Sequence, residues 1–260
     1  MKSFYLQYHP NNRGIWEHAD ALRLSDITGT ARQNLLLIGG GKSSASALGC
    51  MTRANIYNVD FEVYADSTEK IRQIQADYTE LNACPNKFDM ALSLFCLPMY
   101  AVSERAVNLF FLKTALNLKP DGQLRFSPVL AGNLEDREKH IGKNLEFLAS
   151  IGFTVILAYK PYKKLEYDFQ EATDKNDCWT EYFNNLKGVH YFHSNFEIHH
   201  ECAVIQAPSR YNKEVSDKLL CKEIESVNKN FPVETFEVYA ENGSRIPLNQ
   251  LLQNKNALFK

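Results

Sequence analysis

From Asn34 onward, short apolar runs alternate with stretches whose apolar residues recur every three or four positions. That alternation predicts a parallel sheet with crossover helices. LLLI (35–38) is continuously apolar, as a strand buried on both faces should be. IYNVDF (56–61), RQIQAD (72–77) and FDMALSLF (88–95) read as the second, third and fourth strands. Ser43 to Ala54 predicts a helix opened by serines suited to capping. Ser103 to Leu118 predicts another, with Val107, Phe110, Phe111 and Ala115 on one core-facing stripe. Pro120-Asp121-Gly122 predicts a turn into a fifth strand. A helix over 133–150 and a sixth strand, FTVILAY (153–159), come next. Periodicity is lost over 160–190 and returns in NFEIHHECAVIQAP (195–208), a seventh strand. The expected fold is α/β and doubly wound: a mostly parallel, seven-stranded sheet with helices on both faces.

The flanks have a different texture. Arg13 to Leu24 predicts a helix carrying Trp16, so residues 1–33 read as a helical cap on a domain spanning 1–208. Residues 209–260 read as an extension. Within it, Glu214 to Asn228 forms an amphipathic helix, and FEVYAENGSRIPL (236–248) forms a hairpin about Asn242-Gly243. Such an extension offers a surface for homodimerisation or for a protein partner.

Composition narrows the partners. Lys and Arg number 29 against 31 acids, so no basic footprint points to nucleic acid. Lys160, Lys163 and Lys164 read as a solvated loop. No apolar run reaches the length of a membrane span, and MKSFYLQYHPNN is too polar for a signal peptide. The six cysteines (50, 84, 96, 178, 202 and 221) contain no Cys-x-x-Cys pair, which fits a reducing, cytoplasmic location. His190, His193, His199 and His200 match no ligand spacing. On a strand the last two would point to opposite faces, so no metal site is expected.

The chemistry concentrates in NLLLIGGGKSS (34–44). A triphosphate loop needs a glycine five positions before Gly41 of Gly41-Lys42-Ser43, with four residues between, and Leu36 stands at the required position. The alternative is a strand, a glycine turn and a helix N-terminus, where a ligand can approach the backbone. Asp60 follows Gly39 by 21 residues, at the end of the next strand, where a carboxylate can accept from ribose hydroxyls. The dinucleotide fingerprint would place glycines at 39, 41 and 44, but residue 44 is serine.

Over roughly residues 30 to 208 the chain resembles the class I, Rossmann-like S-adenosylmethionine-dependent methyltransferases. LLLIGGGKS is similar to their glycine-rich first motif, and YNVDF to the acid-bearing second strand. ADYTEL is similar to their third-strand motif. KFDMALSLFCLPMY, with the helix and LKPDGQLRF that follow, is similar to their fourth strand, helix, turn and fifth strand. The resemblance implies S-adenosylmethionine as cofactor, bound by Gly39, Gly40 and Gly41, with Asp60 on the ribose and Phe61 along the adenine. It also implies that Asp77 contacts the adenine amino group with Tyr78 beside it, that Phe95 adds to the cofactor side, and that the seventh strand inserts antiparallel beside the sixth. Leu97 and Tyr100, after the fourth strand, would face the substrate, and Tyr5, Tyr8, His9 and Trp16 could close over the cofactor from the N-terminal segment, Tyr8 and Trp16 on the substrate side.

The chain departs from that family at Leu37, where an acid is common, and at Ser43, where a third glycine is usual. The leading expectation is methyl transfer to a small-molecule or protein acceptor, with no catalytic residue assigned. The alternatives are a non-catalytic, methyltransferase-like binding protein acting through protein contacts, and an NAD(P)-dependent oxidoreductase.

Overall fold

A computed structural model describes residues 2–5, 33–41, 45, 48–49, 52–62, 67–94, 96–127, 129, 137–159, 185–193, 202–233, 236–240 and 242–259. The helix expected over 13–24 lies outside these residues, as do Tyr8, His9 and Trp16, Phe95, His199, His200 and the 160–164 lysines. So do Lys42, Ser43 and Ser44 of the glycine-loop region.

The sheet is organised around β2 (Asn34–Ile38). Leu36 and Ile38 point into one apolar cluster and Leu35 and Leu37 into another, so the run is buried on both faces. The chain then moves outward on one side through β3 (Asn55–Asp60) and β4 (Ile71–Gln75), both parallel to their neighbours. It returns to pair β5 (Phe88–Leu94) with the other side of β2. Next come helix α1 (Glu104–Asn117), β6 (Leu118–Ser127), helix α2 (Arg137–Ser150) and β7 (Thr154–Tyr159). The last two strands of this sheet are β8 (Val189–His193) and β9 (Cys202–Gln206).

The eight strands lie in the order β4-β3-β2-β5-β6-β9-β7-β8. β9 is antiparallel to both β6 and β7, while the other pairings are parallel. The inserted antiparallel strand is the arrangement that the resemblance implied, and the fold is a doubly wound, Rossmann-like sheet. The count expected was seven. The additional strand, β8, lies at the sheet edge, starting where the stretch without periodicity ends, and among the described residues it pairs with β7 alone.

Two local expectations are corrected. Pro120-Asp121-Gly122 does not interrupt the chain before the strand. β6 already begins at Leu118, opposite Phe88, and absorbs the triplet as an irregularity in register, with Asp121 at φ 61°. The third strand stops at Gln75, so Asp77 lies beyond it and caps the 3-10 turn Tyr78–Glu80. Capping suits Asp because its side chain can take the free N–H at the start of the turn.

α1 is capped by Ser103, whose hydroxyl accepts from Ala106 N at 3.2 Å. Its Phe110 and Phe111 meet Phe126 of β6 edge to face, with centroids 6.0 and 5.5 Å apart. Helix α3 (Arg210–Asn230) packs along α1 and sends Leu220 and Val227 into the main core. Arg105 fastens it: the guanidinium is bidentate on Glu80 and also donates to Asn228 Oδ1 (2.9 Å) and Phe231 O (3.3 Å).

The expected hairpin is β10 (Phe236–Tyr239) against β11 (Arg245–Ile246), with Gly243 at φ 79° in the connection. A third strand, β1 (Lys2–Tyr5), pairs parallel with β10, so the start and the tail of the chain share a three-stranded sheet. Helix α4 (Leu248–Leu252) follows. No helix among the described residues is long and apolar enough to cross a membrane.

Candidate functional site

The chain reverses direction across the sheet between β2 and β5, and a crevice opens beyond the carboxyl ends of strands at such a point. The turns leaving β2 and β5 meet there. Gly39 takes φ 67°, and a Cβ on it would lie 2.0 Å from Cys96 Sγ. Gly40 would clash on another side, 2.3 Å from Leu37 Cδ2 and 2.5 Å from Asn58 Oδ1. Gly41, at φ 61°, has nothing among the described residues within 4 Å of its Cβ position. The three glycines thus do different work. Two let neighbouring groups pack against the turn, and the third faces open space. Gly41, Ala45, Leu48 and Gly49 are helical, so Gly41 stands at the start of the expected helix.

Asp60 closes the turn from β3. Its Oδ2 accepts from Gly41 N at 3.0 Å and its Oδ1 from Phe61 N at 2.7 Å. Burial nevertheless raises its pKa from 3.8 to about 6, because desolvation outweighs these donors. Asp77, one strand further out, accepts from Thr79 N (2.9 Å) and Thr79 Oγ1 (2.8 Å), both on Oδ1. Burial raises its pKa as well. Lys113 stands beneath that 3-10 turn and donates to the carbonyls of Thr79 and Leu81. Its own burial lowers its pKa to about 8.

Cys96, against Gly39, lies within electrostatic reach of both acids. Burial, with the charges of Asp60 and Asp77, pushes its thiol up to about 12, so it is protonated at neutral pH and a poor nucleophile. Asn58, buried on β3, donates to Gln73 Oε1 at 2.7 Å, and among the described residues its Oδ1 has no hydrogen-bond partner.

The sequence-predicted residues divide by position. Gly39, Gly40, Gly41 and Asp60 converge on the turn at the crevice, and Asp77 lies just beyond the end of the neighbouring strand. Phe61 is at the rim, but its ring packs 6.0 Å from Phe236 of β10. Tyr78 is corrected. Instead of standing beside Asp77 in the crevice, it turns into the core under α1. There its hydroxyl bonds to Thr114 Oγ1 (2.8 Å) and accepts from Asn117 Nδ2 (3.3 Å), and its ring meets Phe110 edge to face.

Leu97 packs partly on the core, and its carbonyl accepts from Ser93 Oγ at 2.6 Å. Tyr100, in the turn after β5, is exposed. Phe95, Tyr8 and Trp16 lie outside the described residues. Among the described residues, no group of three His, Cys, Asp or Glu side chains could hold a metal ion. Pattern reading missed Cys96 and Asn58 as parts of this turn. Nothing in their local sequence shows that an amide on one neighbouring strand and a thiol after the other will meet the glycines that leave β2 between them.

Neither a protein-family model nor a curated protein sequence matches the chain. Solved structures do. One is Haemonchus contortus phosphoethanolamine N-methyltransferase 2 in complex with S-adenosyl-L-methionine, at 16% identity over 73% of this chain and 52% of that one, TM-score 0.41. A second is Burkholderia thailandensis 1,6-didemethyltoxoflavin-N1-methyltransferase, at 19% identity over 46% and 57%, TM-score 0.36. A third is the N-methyltransferase NodS of Bradyrhizobium japonicum with S-adenosyl-L-homocysteine, at 16% identity over 52% and 76%, TM-score 0.41. The matches thus span little more than half the length of the first two, 52% and 57%. At 16–19% identity nothing about substrate passes from these proteins to this chain.

Proposed function

We propose that the crevice binds S-adenosylmethionine and that the protein transfers its methyl group to a small-molecule or protein nucleophile. The observation that carries this reading is the pair of carboxylates, Asp60 at the end of β3 and Asp77 just past β4, beside an open glycine turn. Asp60 would accept from the ribose hydroxyls. Asp77, with both Thr79 bonds on one oxygen, would accept from the adenine amino group with the other. The cofactor would supply an electrophilic methyl carried on a sulfonium. The chain's task is then to hold an acceptor in line with it, at the mouth where Tyr100 is exposed.

The same geometry disfavours a dinucleotide. A diphosphate at a helix N-terminus needs the turn's free N–H groups, yet Gly41 N already donates to Asp60.

One observation favours a role through protein contacts in addition. Tyr211, Val215 and Leu219 recur every four residues on α3 and are all exposed, opposite the face that packs on α1.

Calorimetric titration with S-adenosylmethionine, S-adenosylhomocysteine and NADH tests the cofactor. Micromolar binding of the first two is expected, with at least a tenfold loss, about 1.4 kcal/mol, in Asp60→Ala. NADH binding in their place would return the oxidoreductase reading. Binding of S-adenosylmethionine without turnover across an acceptor screen would leave the binding protein.

A further inference from the structure

The C-terminal segment has no assigned role in the chemistry above, yet it touches the crevice at its most sensitive point. Gln75 ends β4, directly opposite Asp60 in the ladder. Its side-chain amide is used in both directions: Nε2 donates to Phe61 O at 2.9 Å, and Oε1 accepts from Gln250 Nε2 at 2.8 Å. Its main-chain carbonyl accepts from Asn254 Nδ2 at 2.9 Å. Phe61 is therefore held at three points. Its N–H is on Asp60 Oδ1, its carbonyl is on Gln75, and its ring is on Phe236 of the small sheet.

The tail then continues past the second acid. Lys255 O accepts from Asn82 N (2.7 Å) and Asn256 Oδ1 from Asn82 Nδ2 (2.8 Å), in the loop after the turn that Asp77 caps. One strap, residues 236–240 and 242–256, thus contacts the segments that carry both carboxylates.

We propose that this strap is part of the nucleoside-binding machinery and that Gln75 is its positioning residue. Held by Gln250 and Asn254, Gln75 fixes the Phe61 carbonyl and with it the turn that aims Asp60 at a ribose. The inference rests on the S-adenosylmethionine reading. Glutamine suits this position because the two ends of one amide let it donate inward to a carbonyl and accept outward from a second amide at the same time. A free Gln75 side chain would rotate about several soft torsions, and the Asp60–Phe61 turn would lose its outer support.

The test uses full-length protein and calorimetry with S-adenosylhomocysteine and adenosine, beside thermal melting. In Gln250→Ala/Asn254→Ala both ligands should weaken by the same factor, about three- to tenfold, the size of one lost hydrogen bond. Equal factors would place the loss in the nucleoside half. Gln250→Lys keeps a donor toward Gln75 Oε1 and should restore wild-type affinity, whereas Gln250→Ala should not. Gln75→Glu keeps the outer acceptor but loses the donor to Phe61 O, and should weaken binding at least as much as the double variant.

Unchanged affinity in every variant, with wild type binding normally, would overturn the inference and leave the cofactor reading intact. So would a loss that tracks melting temperature and that Gln250→Lys fails to rescue. Wild-type protein that binds neither ligand would overturn the cofactor reading, and this inference with it.

Discussion

The space beneath α1 and the crevice rim above β3 and β4 are held together in opposite ways. Beneath α1, Phe88, Phe110, Phe111 and Phe126 are fully buried, and the contacts are aromatic edges on aromatic faces. At the rim, Asp60, Asp77 and Gln75 hold the backbone by directional hydrogen bonds, some to residues more than 170 positions away. The first region draws its stability from area removed from water and tolerates small shifts. The second contributes little area, but it fixes where particular oxygens point. Damage to the first should therefore appear as lost stability, and damage to the second as lost binding.

Phe110→Ala gives the largest expected effect. The ring lies within 6.4 Å, centroid to centroid, of Tyr78, Phe111 and Phe126, so truncation leaves a cavity that three neighbours cannot close. A loss of about 3–5 kcal/mol is expected in denaturant titrations. Ligand affinity should be retained by whatever fraction stays folded. Gly39→Ala comes next and strikes the rim. The left-handed backbone alone costs about 1–2 kcal/mol for alanine. The added methyl would also overlap Cys96 Sγ, which must move. Cys96→Gly in the same chain should recover part of the binding but none of the backbone strain. Recovery of neither would mean that the contact with Cys96 does not shape the turn.

The same contrast explains what could be read from the sequence. The buried sheet and α1 announce themselves as apolar runs and a 3.6-residue stripe, because burial imposes its period on the chain. Asp60 was legible too, since the 21 residues from Gly39 fit one crossover helix and one strand. Tyr78 was not. Beside Asp77 in sequence, it follows the 3-10 turn into the core, where Thr114 and Asn117 of α1 satisfy its hydroxyl. β8 escaped notice because the run that leads into its first residues, 160–190, has no period. The clasp of Gln75, Gln250 and Asn254 was illegible in principle. Polar pairs between distant exposed amides leave no periodic trace.

The pH dependence sharpens the comparison at Asp60. Its folded pKa is about 6 against 3.8 ordinarily, so between about pH 4 and pH 6 the folded state holds a proton that the unfolded chain has released. The contribution of Asp60 to stability therefore falls as pH rises through that window. Asp60→Asn should flatten that portion of a stability profile measured from pH 4 to 7. It should also abolish the loss of S-adenosylhomocysteine affinity expected in wild type below about pH 6, where the carboxyl stops accepting two hydrogen bonds. An unchanged slope in the variant would mean that another group titrates there.

Tyr78→Phe is the smallest change and separates the two regions most cleanly. It deletes one oxygen from a buried site and leaves the ring edge on Phe110 in place. The hydroxyl bonds to Thr114 Oγ1, whose own hydrogen bond to Phe110 O survives, so only Asn117 Nδ2 loses a partner outright. A cost of about 1 kcal/mol is expected. If Tyr78 belongs to the core alone, S-adenosylhomocysteine affinity will not change, although the residue is adjacent to Asp77. A drop in affinity without a drop in stability would return Tyr78 to the crevice and erase the boundary drawn between the two regions.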